Sequence, residues 1–506
     1  MAAHATGRAP EAGTAGRRAS GVLAATCIST FVVNANTSAV SILLPAISED
    51  VGSSTTTLQW AVTGYTLVGA AVIVTGGVLG DIAGRRRVFV GALLLFVASC
   101  VLIGLSGGAA GVIAGRMIQG AAGSTILACG LSLLSVATTG PEQLRAVSIW
   151  GAASAAGAAA GPLVGGALVD TTGWQGLFWI DAGIAAACIP LTLRTVAESR
   201  DPDRPRSIDV AGMLLVAGTL VPLVLALSKG PDWGWGSPAT LGCLVVSVAC
   251  GVGFVVVEGR VTAPLVDLRL LRNRVLVGAT LVILIDAGAI NALMFVTSLF
   301  FQNPAGLGMT PMEAGLATLP AAAGIVVIAP FVSGLATRYG TRQVVALGFV
   351  LTTAGFAALL FLTTSWGYGL FVLPLIAMAV GMGLSNGCAS AAATASVPQR
   401  QVGEASGISN MARYVGASLL TAAAATIYGT ATAATGVDPA QAQVTGVART
   451  ALLMTIVSGL GIALAVLAGR HRPAPARAVD RAAAAAVMAH TVPSPAPAAP
   501  APAAGR

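Results

Sequence analysis

A series of apolar runs, each about 20 residues long, follows the chain along almost its whole length. A helix of that length crosses the hydrocarbon core of a bilayer, which is about 30 Å thick. Only 9% of the 506 residues are charged and 56% are hydrophobic, whereas about 25% of the residues in a soluble domain are charged. The sequence therefore predicts an all-α membrane protein that crosses the bilayer many times.

The apolar runs predict fourteen transmembrane spans, six before a central pair and six after it. The predicted spans lie near residues 21–44, 57–79, 88–106, 109–133, 147–169 and 175–195, then 210–228 and 238–257, then 275–301, 314–336, 343–363, 368–392, 404–429 and 448–468.

The distribution of arginines predicts the orientation of these spans. Both termini and every second loop carry most of them, whereas the alternate loops contain only Lys229 and Arg449 as basic residues. Because arginine-rich loops stay in the cytoplasm, both termini are predicted to be cytoplasmic and the number of spans to be even.

A weak internal repeat indicates two similar halves. Gly77–Leu95 and Ser333–Leu351 share a pattern of Gly, Leu and Arg, and each joins the second and third predicted helices of its half. Two like halves with a site between them are typical of transporters. We predict a basic cytoplasmic tail at 1–19, six-helix halves at 20–196 and 272–470, a two-span insertion with cytoplasmic flanks at 197–271, and a disordered Pro/Ala-rich cytoplasmic tail at 471–506.

The residue types present argue against several functions. The single lysine, Lys229, lacks the glycine-rich context of a phosphate-binding loop, so ATP is not the predicted energy source. The cysteines lie singly in apolar runs and the histidines lie in the tails, which predicts neither a metal site nor an enzyme. The net charge of +8 is spread over short loops, a pattern that does not indicate a nucleic-acid-binding surface.

Four charged residues lie inside predicted spans, where charge is costly and by default marks a pathway or coupling site: Arg116, Asp181, Asp286 and Arg413. Asp286 lies near the middle of the ninth span, which makes it the leading candidate for a reversible proton carrier. The alternatives are structural. Either arginine could cap facing carbonyl groups, and Asp181 could serve only packing near a helix end.

The loop after the second span carries a resemblance to a known family. The residues GVLGDIAGRRRVF match the signature G-x-L-x-D-x-x-G-R-[RK] of the major facilitator superfamily, with Gly77, Asp81, Gly84, Arg85 and Arg86 at its positions. The resemblance implies that this loop latches the cytoplasmic side and opens during conformational exchange.

Two further motifs make the chain similar to the 14-span drug:proton antiporters of that superfamily. VIAGRMIQGAAG matches R-x-x-Q-G with Arg116 and Gln119, and the resemblance implies that Arg116 tunes a protonatable partner. GAAAGPLVGG matches the antiporter signature G-x-x-x-G-P-x-x-G-G with Gly157, Gly161, Pro162, Gly165 and Gly166.

The glycines of the second motif also have a direct physical meaning. Gly157, Gly161 and Gly165 recur every four residues, so they form a stripe along which another backbone can approach closely. Pro162 lacks an N–H and frees the carbonyl of Ala158, which favours a bend. We expect a close-packed seam that seals the transporter while its halves move.

Several positions depart from the pattern of the antiporter group, among them Gln175, where the group usually has arginine. Asn36 stands in the first span where the group usually has aspartate, and Asp181 stands where it usually has asparagine. Thr337 replaces the loop aspartate in the second half. Coupling would therefore shift to Asp286 or Asp181, or fewer protons would be exchanged in each cycle.

The resemblance implies alternating access, in which a proton gradient drives export of a drug, antibiotic or other amphipathic molecule across a bacterial plasma membrane. The predicted coupling ion is the proton, with no other cofactor, and the protein is predicted to be a monomer in the lipid bilayer. A proton-coupled importer of a small nutrient such as a sugar or organic acid is the alternative. Candidates for proton coupling are Asp286, Asp181 and Arg116, and candidates for the substrate cavity are Asn34, Asn36, Trp60, Tyr65, Gln119, Asn291 and Arg413.

Overall fold

The structure is a computed structural model that describes residues 12–169, 171–200, 209–261, 264–434 and 436–468. These residues form fifteen α-helices and no strand. The helices are α1 (Ala12–Asp50), α2 (Thr55–Ala83), α3 (Arg85–Gly104), α4 (Ala109–Ala137), α5 (Gly140–Val169), α6 (Gln175–Thr195), α7 (Val210–Trp233), α8 (Pro238–Glu258), α9 (Arg274–Gln302), α10 (Pro311–Ala317), α11 (Leu319–Tyr339), α12 (Thr341–Ala358), α13 (Gly369–Ala395), α14 (Val402–Thr432) and α15 (Pro439–Ala468).

Thirteen helical segments within the described ranges are long and apolar enough to cross a membrane. One of them, Met312–Tyr339, combines α10 and α11, which Thr318 separates. The 31-residue α14 is not among the thirteen, and it carries both Glu404 and Arg413. The predicted all-α membrane fold is confirmed, and the count of fourteen spans stays a prediction.

Helix α1 has 39 residues and begins within the stretch predicted as the N-terminal tail. The remainder of that tail and the predicted C-terminal tail at 471–506 lie outside the described residues.

Several helices begin at residues whose side chains satisfy free backbone N–H groups. Ser54 accepts from the N–H of Thr57 at the start of α2, and Asn273 accepts from two N–H groups at the start of α9. Thr310 and Glu313 form a reciprocal capping box at the start of α10.

Gly84 and Gly340 occupy equivalent places in the internal repeat. Each is the single residue between two helices, α2 and α3 or α11 and α12, and their φ angles are 110° and 91°. An L side chain is strained in this backbone region, so glycine permits the tight connection. The two halves therefore share one connection geometry.

The arginine two residues after each of these glycines extends the equivalence. Arg86 donates to the carbonyl of Val196 at the end of α6 (3.3 Å), and Arg342 donates to the carbonyl of Ala465 near the end of α15 (3.1 Å). Cations are favoured at helix C-termini because the last carbonyls carry partial negative charge. Each half thus ties its second connection to its last helix.

The helices pack into two groups joined by a central pair. In the first half α1 packs against α5, and α4 packs against both α2 and α3. In the second half α9 packs against α14, and α12 packs against both α13 and α15. Helix α7 packs against α2 of one half and α14 of the other, while α8 packs against α7 and leaves most of its surface exposed.

We call one end of this bundle the arginine-rich end. It carries Arg85, Arg145, Arg194, Arg274 and Arg342.

Candidate functional site

A chain of buried polar side chains crosses the first half from α6 to α4. The amide Nδ2 of Asn36 on α1 donates to Oδ2 of Asp181 on α6 at 2.7 Å. Nη1 of Arg116 on α4 donates to Oδ1 of the same Asn36 and to Oε1 of Gln119. We call Asp181, Asn36 and Arg116 the first-half cluster.

Tyr65 on α2 completes the surroundings of Arg116. The guanidinium lies over the phenol ring, 4.3 Å from its centroid. Arg116 is fully buried, and Asn36, Gln119 and Tyr65 are at most 3% exposed. These residues therefore belong to the core of the first half in this state. The assignment of Asn36, Gln119 and Tyr65 to the substrate cavity stays a prediction.

The second half contains a different cluster around Asp286 of α9. This side chain is fully buried and faces Ser385 of α13 and Arg413 of α14. Within the described ranges neither carboxylate oxygen accepts a hydrogen bond of ordinary geometry. Because a buried ion without hydrogen bonds is costly, the ionised form of Asp286 is poorly stabilised in this structure.

Arg413 connects the second-half cluster to the first half. Its Nη2 donates to Oδ1 of Asn386 (3.0 Å) and to Oγ of Ser390 (2.6 Å), and its guanidinium lies 5.7 Å from the ring of Trp150 on α5. The sequence did not single out Asn386, Ser390 or Trp150, since such residues are common in membrane helices.

The remaining cavity candidates lie apart from both clusters. The amide of Asn34 donates to the carbonyl of Thr30, and that of Asn291 donates to the carbonyl of Ala287, so each bonds its own helix. Trp60 is 45% exposed and lines an apolar groove of about 320 Å³ with Met117 of α4. Trp60 therefore does not belong to the first-half cluster.

The glycine stripe of α5 faces α1 within the first half. A β-carbon at Gly157 would clash with the carbonyl oxygen of Phe31, and one at Gly161 would clash with that of Ala35. Gly165 is less tight, because its β-carbon would lie 3.2 Å from that of Ala39.

The other face of the same motif approaches the second half. A β-carbon on Gly315 of α10 would lie 3.9 Å from Pro162, and one on Gly166 would lie 2.9 Å from the methyl group of Met312. Helix α5 continues through Pro162. The motif thus has one face within its half and one face between the halves.

The loop motif between α2 and α3 contacts the first turn of α14. Asp81 is fully buried, and its Oδ1 lies 2.6 Å from Nη2 of Arg85, which also donates to the carbonyl of Gln399 (3.0 Å). A β-carbon at Gly403 would clash with the Asp81 carboxylate. Asp81 therefore lies at the N-terminus of α14, where the helix dipole favours negative charge.

Two other motif residues hold this contact in place. A β-carbon at Gly77 would come within 2.5 Å of the carbonyl oxygen of Gly403, and the backbone N–H of Arg86 donates to Glu198 at 3.1 Å. Gly84 lies beside the same glutamate.

Further hydrogen bonds join the halves at the arginine-rich end. The hydroxyl of Ser135 on α4 donates to that of Thr394 on α13 at 2.9 Å, and Gln143 donates to Thr394 at 3.3 Å. Ser406 of α14 donates to the carbonyl of Ala128 at 2.6 Å. The arginine-rich end is therefore closed in this structure.

Two helical halves that meet through hydrogen bonds and that each bury charged residues are typical of a multi-pass membrane transporter. A family model described as the Major Facilitator Superfamily matches residues 26–421, so the chain belongs to this superfamily. Its members are transporters rather than enzymes.

Two curated relatives place the chain among the drug-efflux transporters of the superfamily. It is 33% identical over 402 residues to the tetracenomycin C resistance and export protein of Streptomyces glaucescens, covering 79% of this chain and 74% of the relative. It is 31% identical over 399 residues to the multidrug resistance protein Stp of Mycobacterium tuberculosis, covering 78% and 73%.

A solved structure supports the fold. The human organic anion transporter MFSD10 (TETRAN) superposes with a TM-score of 0.62 at 15% identity, covering 87% of this chain and 99% of that one. At this identity the similarity shows the fold alone.

Proposed function

We propose that the protein exports a drug, antibiotic or similar amphipathic molecule from a bacterial cell in exchange for protons. The supporting observation is that each half buries a carboxylate inside a helix long and apolar enough to cross a membrane, Asp181 in α6 and Asp286 in α9. Each of the two interacts electrostatically with a buried arginine. The relatives' names support a drug or antibiotic substrate and outward transport.

Asp286 is the proposed proton carrier of the second half. Its surroundings offer little stabilisation to the ion, so a cycle that buries it favours the protonated acid, and a cycle that opens it to water favours release. Arg413 lies nearby, donates hydrogen bonds to α13 and lies 5.7 Å from the ring of Trp150 across the interface. A change of charge at Asp286 would therefore act on a side chain that contacts both halves.

The proposed cycle is alternating access between the two halves. Separation at the arginine-rich end, which we propose faces the cytoplasm with both termini, breaks the contacts of Asp81 and Thr394 and admits the substrate. The protein needs no cofactor beyond the proton in this scheme and works as a monomer in the plasma membrane.

Replacing Asp286 with asparagine tests the proposal. Asp286→Asn keeps the shape but cannot carry a proton, so we expect pH-driven efflux to fall by at least about tenfold while downhill exchange of substrate persists. The measurement is transport of a fluorescent or radiolabelled drug in reconstituted vesicles with and without an imposed pH gradient.

Asp438→Asn is the matched control. Asp438 is exposed and caps α15 through the N–H of Gln441, a role that asparagine also fills. Proton-driven efflux by Asp286→Asn equal to that of Asp438→Asn would contradict the assignment of Asp286. Export would be contradicted if the substrate moved across the membrane in the same direction as the protons.

A further inference from the structure

The first-half cluster is linear, and its middle member is an amide. Asp181, Asn36 and Arg116 come from three helices, α6, α1 and α4, and each is at most 4% exposed. Asn36 forms the direct side-chain link between the carboxylate and the guanidinium. The charged residues are therefore connected through a neutral group.

We propose that Asn36 is a positioning residue that couples protonation of Asp181 to Arg116, and that the carboxylate and the amide can be exchanged between positions 36 and 181. This inference rests on the proposed proton-driven export. It adds a second proton-binding group, in the first half, and assigns a role to a residue that does not itself titrate.

The hydrogen-bonding chemistry determines which way the Asn36 amide points. Arginine has only donors and an ionised aspartate has only acceptors, so the residue between them must accept from one and donate to the other. The amide meets both needs, with its oxygen toward Arg116 and its nitrogen toward Asp181. An aliphatic residue at position 36 would remove this donor from Asp181 and this acceptor from Arg116.

The proton step is simple and balanced. A proton from water adds to a carboxylate oxygen of Asp181 and gives the neutral acid, and its loss regenerates the ion. The bond from Asn36 is charge-assisted only while Asp181 is ionised. Protonation therefore weakens the link from α1 to α6 and removes the anion that balances Arg116 on α4.

Three other titratable groups interact electrostatically with Asp181 among the described residues. Arg116 on α4 acts on the Asp181 carboxylate, and that carboxylate acts on Tyr65 of α2 and Cys100 of α3. Cys100 also accepts a hydrogen bond from Gln119 at 3.0 Å, so it belongs to the same network.

Exchange of the two residues preserves the bonding pattern. With aspartate at position 36 and asparagine at position 181, the carboxylate accepts directly from Arg116, and the amide donates to the carboxylate. One carboxylate, one amide and one guanidinium remain in the same space. Either single replacement breaks this balance, giving two amides or two carboxylates side by side.

The test compares Asp181→Asn, Asn36→Asp and the double exchange in reconstituted vesicles. We expect each single variant to lose at least about tenfold of pH-driven efflux and the double exchange to recover to within about threefold of the original protein. The readouts are the initial rate across a range of pH and the number of protons exchanged per substrate.

Asn34→Asp combined with Asp181→Asn is the matched control. Asn34 is an asparagine two residues away on α1, and its amide bonds to Thr30 rather than to Asp181. Successive residues on a helix are about 100° apart, so this carboxylate points elsewhere. We expect no recovery in this pair, and equal recovery in both pairs would overturn the specific role of position 36.

Asn36→Leu provides a second test if the double exchange is poorly produced. A coupling role predicts that pH-driven efflux is lost while downhill exchange persists, whereas a purely structural role predicts that both fall together. Two outcomes overturn the inference if the original protein is proton-coupled. One is a double exchange no more active than Asp181→Asn, and the other is full coupling by Asp181→Asn. Absence of coupling in the original protein instead overturns the proposed function.

Discussion

Arg116 shows at the scale of one residue how a charge is kept inside a membrane helix bundle. Its guanidinium donates to Asn36 and Gln119, stacks on Tyr65 and lies 3.4 Å from the carbonyl of Ala61. The planar guanidinium suits this arrangement because its donors diverge in one plane and its faces accept an aromatic ring.

Arg116→Ala should destabilise the protein strongly, because it leaves the buried Asp181 without its balancing charge. Breaking a buried charged network in this way costs about 3–5 kcal/mol of folding free energy. Arg116→Lys should cost part of this amount, because an ammonium group cannot both stack on Tyr65 and donate several hydrogen bonds in one plane. The measurement is the melting temperature of the purified protein in detergent. Arg272→Ala, at an exposed position, is the control, and a similar change in both would contradict the role of the network.

The sequence indicates the buried charges but not their partners. Arg116, Asp181, Asp286 and Arg413 stand out because charge interrupts apolar runs. Asn36 and Asp181 are 145 residues apart, so no local spacing predicts their hydrogen bond. The neighbours of Asp286 could not be predicted either, because a residue such as Ser385 is common in membrane helices.

At the scale of helices, the glycine stripe determines how closely α5 approaches α1. The backbone of α5 at Gly157 and Gly161 touches the carbonyls of Phe31 and Ala35. The spacing of glycines predicts such a close approach, but a periodic stripe does not name the helix that it meets. The partner lies in the same half, so this seam stays closed when the halves move as rigid bodies.

Gly161→Ala should weaken this seam, since the added methyl group meets Ala35 and Ser38. Overpacking of this kind costs about 1–3 kcal/mol. Gly151→Ala on the same helix meets nothing within 4 Å, and it should gain up to about 1 kcal/mol from helix propensity. Melting temperatures that change equally in the two variants would argue against a close-packed seam at Gly161.

The interruption between α10 and α11 is a detail that hydropathy alone does not reveal. The apolar run there predicts one span, and the structure divides it at Thr318. Pro320 stands in the first turn of α11 and has no N–H to continue the hydrogen bonds of the preceding helix. The proline was visible in the sequence, but its effect depends on where the helix can restart.

At the scale of the whole molecule, hydrogen bonds and close backbone contacts join the two halves at the arginine-rich end. Asp81 meets the start of α14 there, and Ser135 and Gln143 meet Thr394. The two-half architecture follows from the repeat and the arginine pattern. Which end of the bundle is closed does not follow from the sequence, because hydropathy and charge are the same whichever end is open.

A cysteine pair should lock this end. Ser135→Cys with Thr394→Cys replaces two hydroxyl groups 2.9 Å apart on opposite halves, within range of a disulfide after small adjustments. We expect oxidised protein to lose transport by at least about tenfold and to recover on reduction, because the halves cannot separate. The single variants control for the native cysteines, and full transport by the cross-linked protein would contradict opening at this end.

Helix α7 covers one of the two sides on which the halves meet. It covers the boundary between the halves where α2 approaches α14, with α8 outside it, while within the described ranges the insertion pair makes no comparable cover where α5 approaches α11. The side of the boundary formed by α2 and α14 is thus covered by α7, and the side formed by α5 and α11 is not covered by the insertion pair. An amphipathic compound in the membrane would therefore reach the boundary between the halves on the side of α5 and α11 without meeting α7 and α8.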